Sequence, residues 1–521
     1  MERQVLRSHI FGPTHPAFLT GGGGKATNGV ADMQEPGLTR ANPFWPEKVQ
    51  MIYTKTSVIC GAMVIAFFGA KSAISQDMGR QVEVDFSRSM GTIKHLNDVE
   101  GGTLSKRGWI DLSPYFKELG VKHVRLHDVP LDFADVQDIN YVFPDSDADP
   151  DEAKNYVFAG TDWFLKPLKG LEVEIIYRLG YSDEETLLPR QHDAPPKDFE
   201  KWAHVCLNIV KHYNGGWDNG FHDQIKYWEI WNEPDGAEFW TGTPEQYYKL
   251  YETTARAIKS YDSNLKVGGP ALASDVKFLE GFLKYCHEHS VPVDFVSWHR
   301  YSAEPYSVLE TSKRVQALMA HYGFGKVENI LDEWNYFPGD WGRIQKEAVY
   351  GEEIGKQIKG SAGAAYDAAV LSYLQDSTVD IANFYTGNTL LFWGLFDEYG
   401  VPSKPFYSFK AFSELLGTPQ RVFTAGSDQQ GFTAIAGLSI DKSRATVLIS
   451  NFAHGPGRYA LALKNLPWSG KFTCETYLLD GSRSLEMVKS EEFKGTTATV
   501  SVEDFTPPSV WLFRLKQSAG E

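Results

Sequence analysis

Between Ser113 and Tyr385 the chain repeats one pattern: apolar residues at helical spacing, a glycine or turn, then a short apolar run ending in polar groups. A helix from Ser113 to Leu119 is stopped by Gly120 and followed by a strand from Val121 to Asp128. A helix around Trp163 to Leu168 leads through Gly170 to Val173–Arg178, and one from Asp198 to Tyr213 leads to Ile225–Glu233. Helices from Thr243 to Tyr261, Val276 to His289 and Ser312 to Tyr322 precede the runs Leu265–Pro270, Val293–His299 and Ile330–Glu333. A Gly/Ala-rich helix from Ile354 to Gln375 precedes Ile381–Tyr385. With Met90 to His95 counted as the first strand, eight strands alternate with helices. That period predicts an α/β fold, a (β/α)8 TIM barrel over 90–416, whose active site lies at the C-terminal strand ends.

Past Leu416 the period changes to two. Phe432–Ala436, Ala445–Ser450, Arg458–Leu463, Phe472–Leu478 and Val510–Leu515 alternate apolar with polar residues between turns such as Asp480-Gly481-Ser482, which predicts a β-sandwich domain over 417–521. Val82, Val84 and Phe86 alternate in the same way, so a strand within 77–89 is expected to pair with that sandwich.

Nothing periodic precedes it. Residues 51–76 have the layout of a secretory signal peptide: Met51, a cation at Lys55, an apolar run from Val58 to Ala70 too short to span a membrane, then Ala73 and Ser75. Residues 1–50, with Gly21 to Gly24, read as a disordered leader or a mis-start upstream of Met51. The expected location is secreted or periplasmic.

Composition narrows the chemistry. A formal charge of −16 argues against a nucleic-acid partner. Aromatic residues make up 14% of the chain, including 14 Trp and 25 Tyr; sugar rings stack on such faces, although large cores use them too. Cys60 would leave with the signal, and Cys206, Cys286 and Cys474 are too few and too far apart for a disulfide framework, so buried free thiols are expected. Cys286-His287-Glu288-His289 sits in a helical pattern without a closed ligand set, and Asp145, Asp147, Asp149 and Asp151 lack the Gly and Glu of a calcium loop. Neither predicts a metal site. The acidic loop from Asp132 to Asp162 follows the second strand, which makes it a candidate rim of the pocket.

Two strand ends carry the candidate chemistry. Tyr227-Trp228-Glu229-Ile230-Trp231-Asn232-Glu233-Pro234 delivers Glu233 to a strand's C-terminal mouth, and Asn329-Ile330-Leu331-Asp332-Glu333-Trp334-Asn335 delivers Glu333. Paired carboxylates across a barrel mouth fit hydrolysis of a glycosidic bond; a gap of about 5 to 5.5 Å implies retention and a wider one inversion. Arg125 is placed to keep Glu333 charged, Tyr301 to donate it a hydrogen bond, and Asn232 to hold a sugar hydroxyl. His127 and His299 also fall at C-terminal strand ends.

These residues resemble glycoside hydrolase family 39 of clan A, the family of β-xylosidases and α-L-iduronidase, from about Met90 into the C-terminal sandwich. The resemblance rests on Pro195-Pro196-Lys197-Asp198, Trp228 to Pro234, Thr254 to Ser260, Lys266 to Ala271 and Val291 to Ser297. It implies a retaining, exo-acting glycosidase working by double displacement, with Glu233 as acid/base and Glu333 as nucleophile, and with no cofactor or metal. It also implies glycone contacts from His127, Asn232, His299 and Tyr301, places Tyr385 where relatives carry a Trp platform, and points to a homo-oligomer.

Departures from the family pattern affect the sugar. Asp332-Glu333-Trp334-Asn335 is also similar to the motif of arabinofuranosidases in a sister family, while Trp298, Arg300 and Arg178 give a bulkier, more cationic rim. The expected enzyme is β-xylosidase-like, releasing a terminal pentose from an oligosaccharide. The alternatives are an α-L-arabinofuranosidase, an iduronidase-like enzyme, an endo-acting polysaccharide hydrolase and a non-catalytic carbohydrate-binding protein. A uronate needs a cation, so Arg178 and Arg300 discriminate among them.

Overall fold

The computed structural model describes residues 79–518 apart from 106–107, 132–133, 182–192 and 391. The leader and signal expectations for 1–50 and 51–76 lie outside the described residues.

Several helices of the repeat are punctuated by local chemistry. Asp198 caps the helix Phe199–Gly215 by accepting from the Glu200 and Lys201 amides, and Thr243 with Gln246 forms a reciprocal capping box on Pro244–Tyr261. Gly120 ends Ser113–Leu119 in a left-handed conformation that a residue with a Cβ rarely adopts.

The first strand, β1 (Arg80–Thr92), does not enter the barrel. The barrel strands are β2 (Asp98–Glu100), β3 (His123–Leu126), β4 (Glu174–Leu179), β5 (Tyr227–Ile230), β6 (Lys266–Leu272), β7 (Phe295–Ser302), β8 (Glu328–Tyr336) and β9 (Ile381–Phe384). They close in the order β8–β9–β2–β3–β4–β5–β6–β7, with neighbours parallel. The expected first strand at Met90–His95 is thus corrected to Asp98–Glu100. Met90 lies on β1, and the chain leaves extended pairing with that sheet only after Thr92.

Inside the barrel the side chains stack in layers, as strand alternation requires. Ile176, Tyr227, Phe295, Ile330 and Ile381, from five strands, form one apolar layer. Two residues further along those strands stand Arg178, Glu229, Ser297, Asp332 and Asn383, a polar layer joined by Glu100 and Arg125, all buried. An apolar plug beneath a charged layer leaves the charge nowhere to face except the C-terminal mouth.

The C-terminal strands are β10 (Gln420–Ala425), β11 (Phe432–Leu438), β12 (Arg444–Asn451), β13 (Gly457–Lys464), β14 (Lys471–Leu479), β15 (Ser484–Lys494), β16 (Ala498–Phe505) and β17 (Ser509–Gln517). With β1 they form one nine-stranded sheet in the order β15–β14–β17–β12–β11–β10–β1–β13–β16. β1 runs antiparallel to β10 and parallel to β13. The sheet curls over a single core, bringing the Tyr459 ring on β13 to 6.3 Å from the Trp511 ring on β17, five strands away in hydrogen-bonding order.

Barrel and sheet meet through the Gly/Ala-rich helix Ser361–Tyr373, whose small residues let strands approach closely. Ala364, Ala365, Ala368 and Ala369 are fully buried, and Ser450 on β12 donates to the Ala365 carbonyl at 2.6 Å. Cys206, Cys286 and Cys474 are buried and free. Among the described residues, no helix is long and apolar enough to cross a membrane.

Candidate active site

Arg125 is the hub of the polar layer. Its Nε donates to Glu229 Oε2 at 2.6 Å and lies 3.3 Å from Asp332 Oδ2. Its Nη1 donates to Glu333 Oε1 at 2.7 Å and to Glu100 Oε2 at 3.3 Å, and its Nη2 donates to Asn232 Oδ1 at 2.8 Å. Four carboxyl groups share one fully buried guanidinium, so they cannot all be ionised. Burial, with repulsion among the acids, pushes Glu100 and Asp332 well above the usual carboxylate range. Burial also acts to raise Glu229, but the Arg125 guanidinium in contact with it brings it below its ordinary value.

Glu333 reaches the mouth through an irregularity. Ile330 faces the barrel interior, so regular alternation would turn Asp332 inward and Glu333 out toward the helices. A register shift between Leu331 and Glu333 against β7 re-aims the chain, so that both acids face the site and Trp334 faces outward. Tyr301 then donates to Glu333 Oε2 at 2.8 Å, His299 Nδ1 lies 3.3 Å from the same oxygen, and His127 Nε2 lies 3.4 Å from Oε1. Burial raises the Glu333 carboxyl, while Arg125 and the Tyr301 hydroxyl pull the other way.

Glu233 is delivered differently. β5 stops at Ile230, and Trp231 (φ 75°) and Glu233 (φ 47°) both adopt left-handed backbone that swings the carboxyl over the mouth. Such φ values are unusual for a bulky residue. The Trp231 ring is pinned against Trp202, Trp240 and Tyr181, its indole donates to the Phe239 carbonyl, and the Glu233 amide donates to the Ala271 carbonyl.

The Glu233 Oε1 atom lies 2.6 Å from His299 Nδ1. Burial, then the nearby Asp235 charge, pushes Glu233 up to about 8, whereas burial pushes His299 down to about 4. At neutral pH the carboxyl is therefore protonated and the imidazole neutral, and the carboxyl O–H donates to Nδ1. An oxygen of Glu233 and one of Glu333 lie within 4.8 Å of each other.

Of the residues expected at the site, Arg125, His127, Asn232, Glu233, His299, Tyr301, Glu333 and Tyr385 converge. Tyr385 presents its ring 5.9 Å from Tyr301, and its hydroxyl donates to Asp128 Oδ2 at 2.5 Å. Arg178 does not form a rim: it is buried, with Nε donating to His127 Nδ1 at 3.1 Å and Nη2 to Asp138 Oδ1 at 2.5 Å.

Trp298, Arg300 and Trp334 are not brought to the mouth. His299 and Tyr301 face inward, so their neighbours Trp298 and Arg300 face the helix layer, where they line a cavity with Thr311, Arg314 and Leu318. Trp334 packs against Phe384 and Phe409.

Sequence reasoning passed over Glu100, Asp128, Glu229, Asp332 and Trp393. Glu229 and Asp332 were detectable as acids inside otherwise apolar strand runs. Trp393 comes from an irregular segment and carries no sequence signal, yet its ring lies 5.4 Å from Tyr301 and 5.9 Å from the half-exposed Trp341, an aromatic wall running outward from Glu333.

A model of the glycosyl hydrolases family 39 matches residues 99–420. A beta-xylosidase of Geobacillus stearothermophilus is 27% identical over 339 residues, 59% of this chain and 62% of its own length. A beta-xylosidase of Caldicellulosiruptor saccharolyticus is 29% identical over 244 residues, 44% of this chain and 46% of its own length. The chain thus spans less than two thirds of these relatives. Among solved structures, a glucosidase from Croceicoccus marinus superposes with a TM-score of 0.70 at 26% identity, over 85% of this chain and 100% of that one.

Proposed function

The chain belongs to the glycosyl hydrolases family 39, and on that premise we propose that it is a retaining, β-xylosidase-like glycosidase acting on a neutral terminal sugar. The observation that carries the mechanism is the carboxyl pair within 4.8 Å, one member held by a guanidinium and a phenol and the other set against an imidazole. A separation this short leaves no room for a water between the acids and suits direct attack by one of them.

Glu333, gripped by Arg125 and Tyr301, attacks the anomeric carbon and forms a glycosyl ester. Glu233 passes its proton to the departing oxygen. Glu233, now a carboxylate, then takes a proton from water, whose oxygen attacks the anomeric carbon and expels Glu333. Asn232, whose carbonyl is fixed by Arg125, directs its amide as a donor to a sugar hydroxyl. A neutral sugar is favoured because Arg125 is already saturated by acids, Arg178 is buried against His127 and Asp138, and Arg300 faces the helices.

A slow-turnover 2-fluoro aryl xyloside should add one glycosyl mass to the peptide carrying Glu333. Labelling elsewhere, or none while the normal xyloside is cleaved, would sink the assignment. A glucoside is the second reading, supported by the likeness to the Croceicoccus glucosidase, and the matching fluoro glucoside tests it in parallel.

A further inference from the structure

The side of the mouth away from Glu233 holds polar atoms that the double displacement does not use. Five residues form a closed circuit there. Glu333 Oε1 lies 3.4 Å from His127 Nε2, which lies 3.5 Å from Asp128 Oδ2. Asp128 Oδ2 accepts from the Tyr385 hydroxyl at 2.5 Å, the Tyr385 ring packs 5.9 Å from Tyr301, and the Tyr301 hydroxyl returns to Glu333. The Asp128 carboxyl is buried, and its other oxygen, Oδ1, has no hydrogen-bond partner. Glu100, on the neighbouring strand, brings an oxygen to within 4.8 Å of ligand atoms of His127 and Asp128, and its Oε1 also lacks a partner.

A buried carboxylate oxygen without a donor is costly, and residues keep left-handed backbone such as that of Asp128 (φ 45°) only where their surroundings enforce it. The question is which ligand Oδ1 awaits. Glu100, His127 and Asp128 have the composition of a metal cluster, but the histidine's tautomer excludes it as a ligand. The Arg178 guanidinium can only donate, so His127 Nδ1, which it contacts at 3.1 Å, must be the bare acceptor. The neutral ring then carries its hydrogen on Nε2, the atom facing the cluster, and offers a metal no lone pair. What remains on these neighbouring residues is one donor, His127 Nε2–H, 3.5 Å from Asp128 Oδ2, and one unfilled acceptor on the same carboxyl, Oδ1. A sugar hydroxyl, which accepts and donates through one oxygen, satisfies both.

We propose that Asp128, held in place by Tyr385, is a specificity-determining residue that accepts a hydrogen bond from one ring hydroxyl of the sugar seated over Glu333, the same hydroxyl accepting from His127. The proposal rests on the glycosidase reading and deepens it. The recognised group is a neutral hydroxyl, and a uronate carboxylate in the same place would meet a carboxylate.

The test crosses two deletions, one in the sugar and one in the protein. Aryl xylosides lacking one ring hydroxyl at a time are compared for kcat/KM in the wild type, Asp128→Asn and Asp128→Ala, with melting temperatures as the folding control. The wild type should lose about 10- to 100-fold on one of these analogues, as expected for a hydrogen bond to a charged acceptor. In Asp128→Ala that discrimination should fall to within a few-fold, with the others unchanged. Undiminished discrimination in a folded Asp128→Ala overturns the proposal. Should the Asp128 variants fail to fold, Tyr385→Phe, which loosens the carboxylate without removing it, must weaken discrimination at that same hydroxyl, and equal losses on every analogue count against the assignment. A wild type that cleaves no aryl glycoside would sink the glycosidase reading itself, an outcome distinct from active enzyme without hydroxyl discrimination.

Discussion

The two walls of the barrel mouth carry the same functional group and treat it in opposite ways. On one wall Glu333 is clasped by a guanidinium and a phenol on a strand re-aimed by a register shift. On the other, Glu233 hangs from left-handed backbone, sets its carboxyl against a neutral imidazole and lies near further acids. Burial raises both carboxyls, but donors aimed at Glu333 oppose that rise, whereas the Asp235 charge adds to it at Glu233. On the proposed mechanism, a pair of identical side chains is turned into a nucleophile and an acid by neighbours alone.

The largest effect that would break this comparison comes from exchanging each acid for its neutral amide. Glu333→Gln should lower kcat about 10⁴-fold or more on every aryl xyloside, because the amide cannot form the glycosyl ester. Glu233→Gln should cost about 10²- to 10⁴-fold on substrates with poor leaving groups and far less on dinitrophenyl substrates, which need no proton for departure. Steady-state kinetics across a leaving-group series reads this directly. A loss independent of leaving group in Glu233→Gln would remove it from the acid role.

Next in size is the pH dependence. With Glu233 at about 8 and active when protonated, kcat/KM should hold through neutral pH and fall above about 8. That basic limb should vanish in Glu233→Gln assayed with the dinitrophenyl substrate. A basic limb that persists there belongs to another group.

The smallest effect is on stability. The folded Glu233 has a pKa above its unfolded value, so between about 4.5 and 8 the unfolded chain releases a proton that the folded chain keeps, and stability falls as pH rises through that window. Glu233→Gln removes this cost and should raise Tm by roughly 2 to 5 °C at pH 8, with little gain at pH 4.5. Differential scanning calorimetry at the two pH values checks the sign, and an equal gain at both would point to packing.

How much of this was legible depended on whether local pattern or three-dimensional phase set the outcome. The C-terminal strand domain, expected as a β-sandwich and found as one curled sheet, was visible because Val82, Val84, Leu461, Leu463 and their partners keep strict alternation against one core. The boundary at Thr92 was less so: Met90 to Thr92 are exposed ladder residues with no apolar signature. Arg300 and Trp334 misled because rich chemistry beside a catalytic motif says nothing about which way a strand presents it.

By itself the sequence determined the alternation of strands and helices, the change to period two, and the two acids at strand ends, because these depend on spacing along one chain. Only the tertiary structure decided which face of β8 meets the site, that a single Arg125 serves acids from several strands, and that Tyr385 holds Asp128. Those facts come from register shifts and from charges brought together from residues hundreds of positions apart, and their energies exist only once the barrel has closed and excluded water.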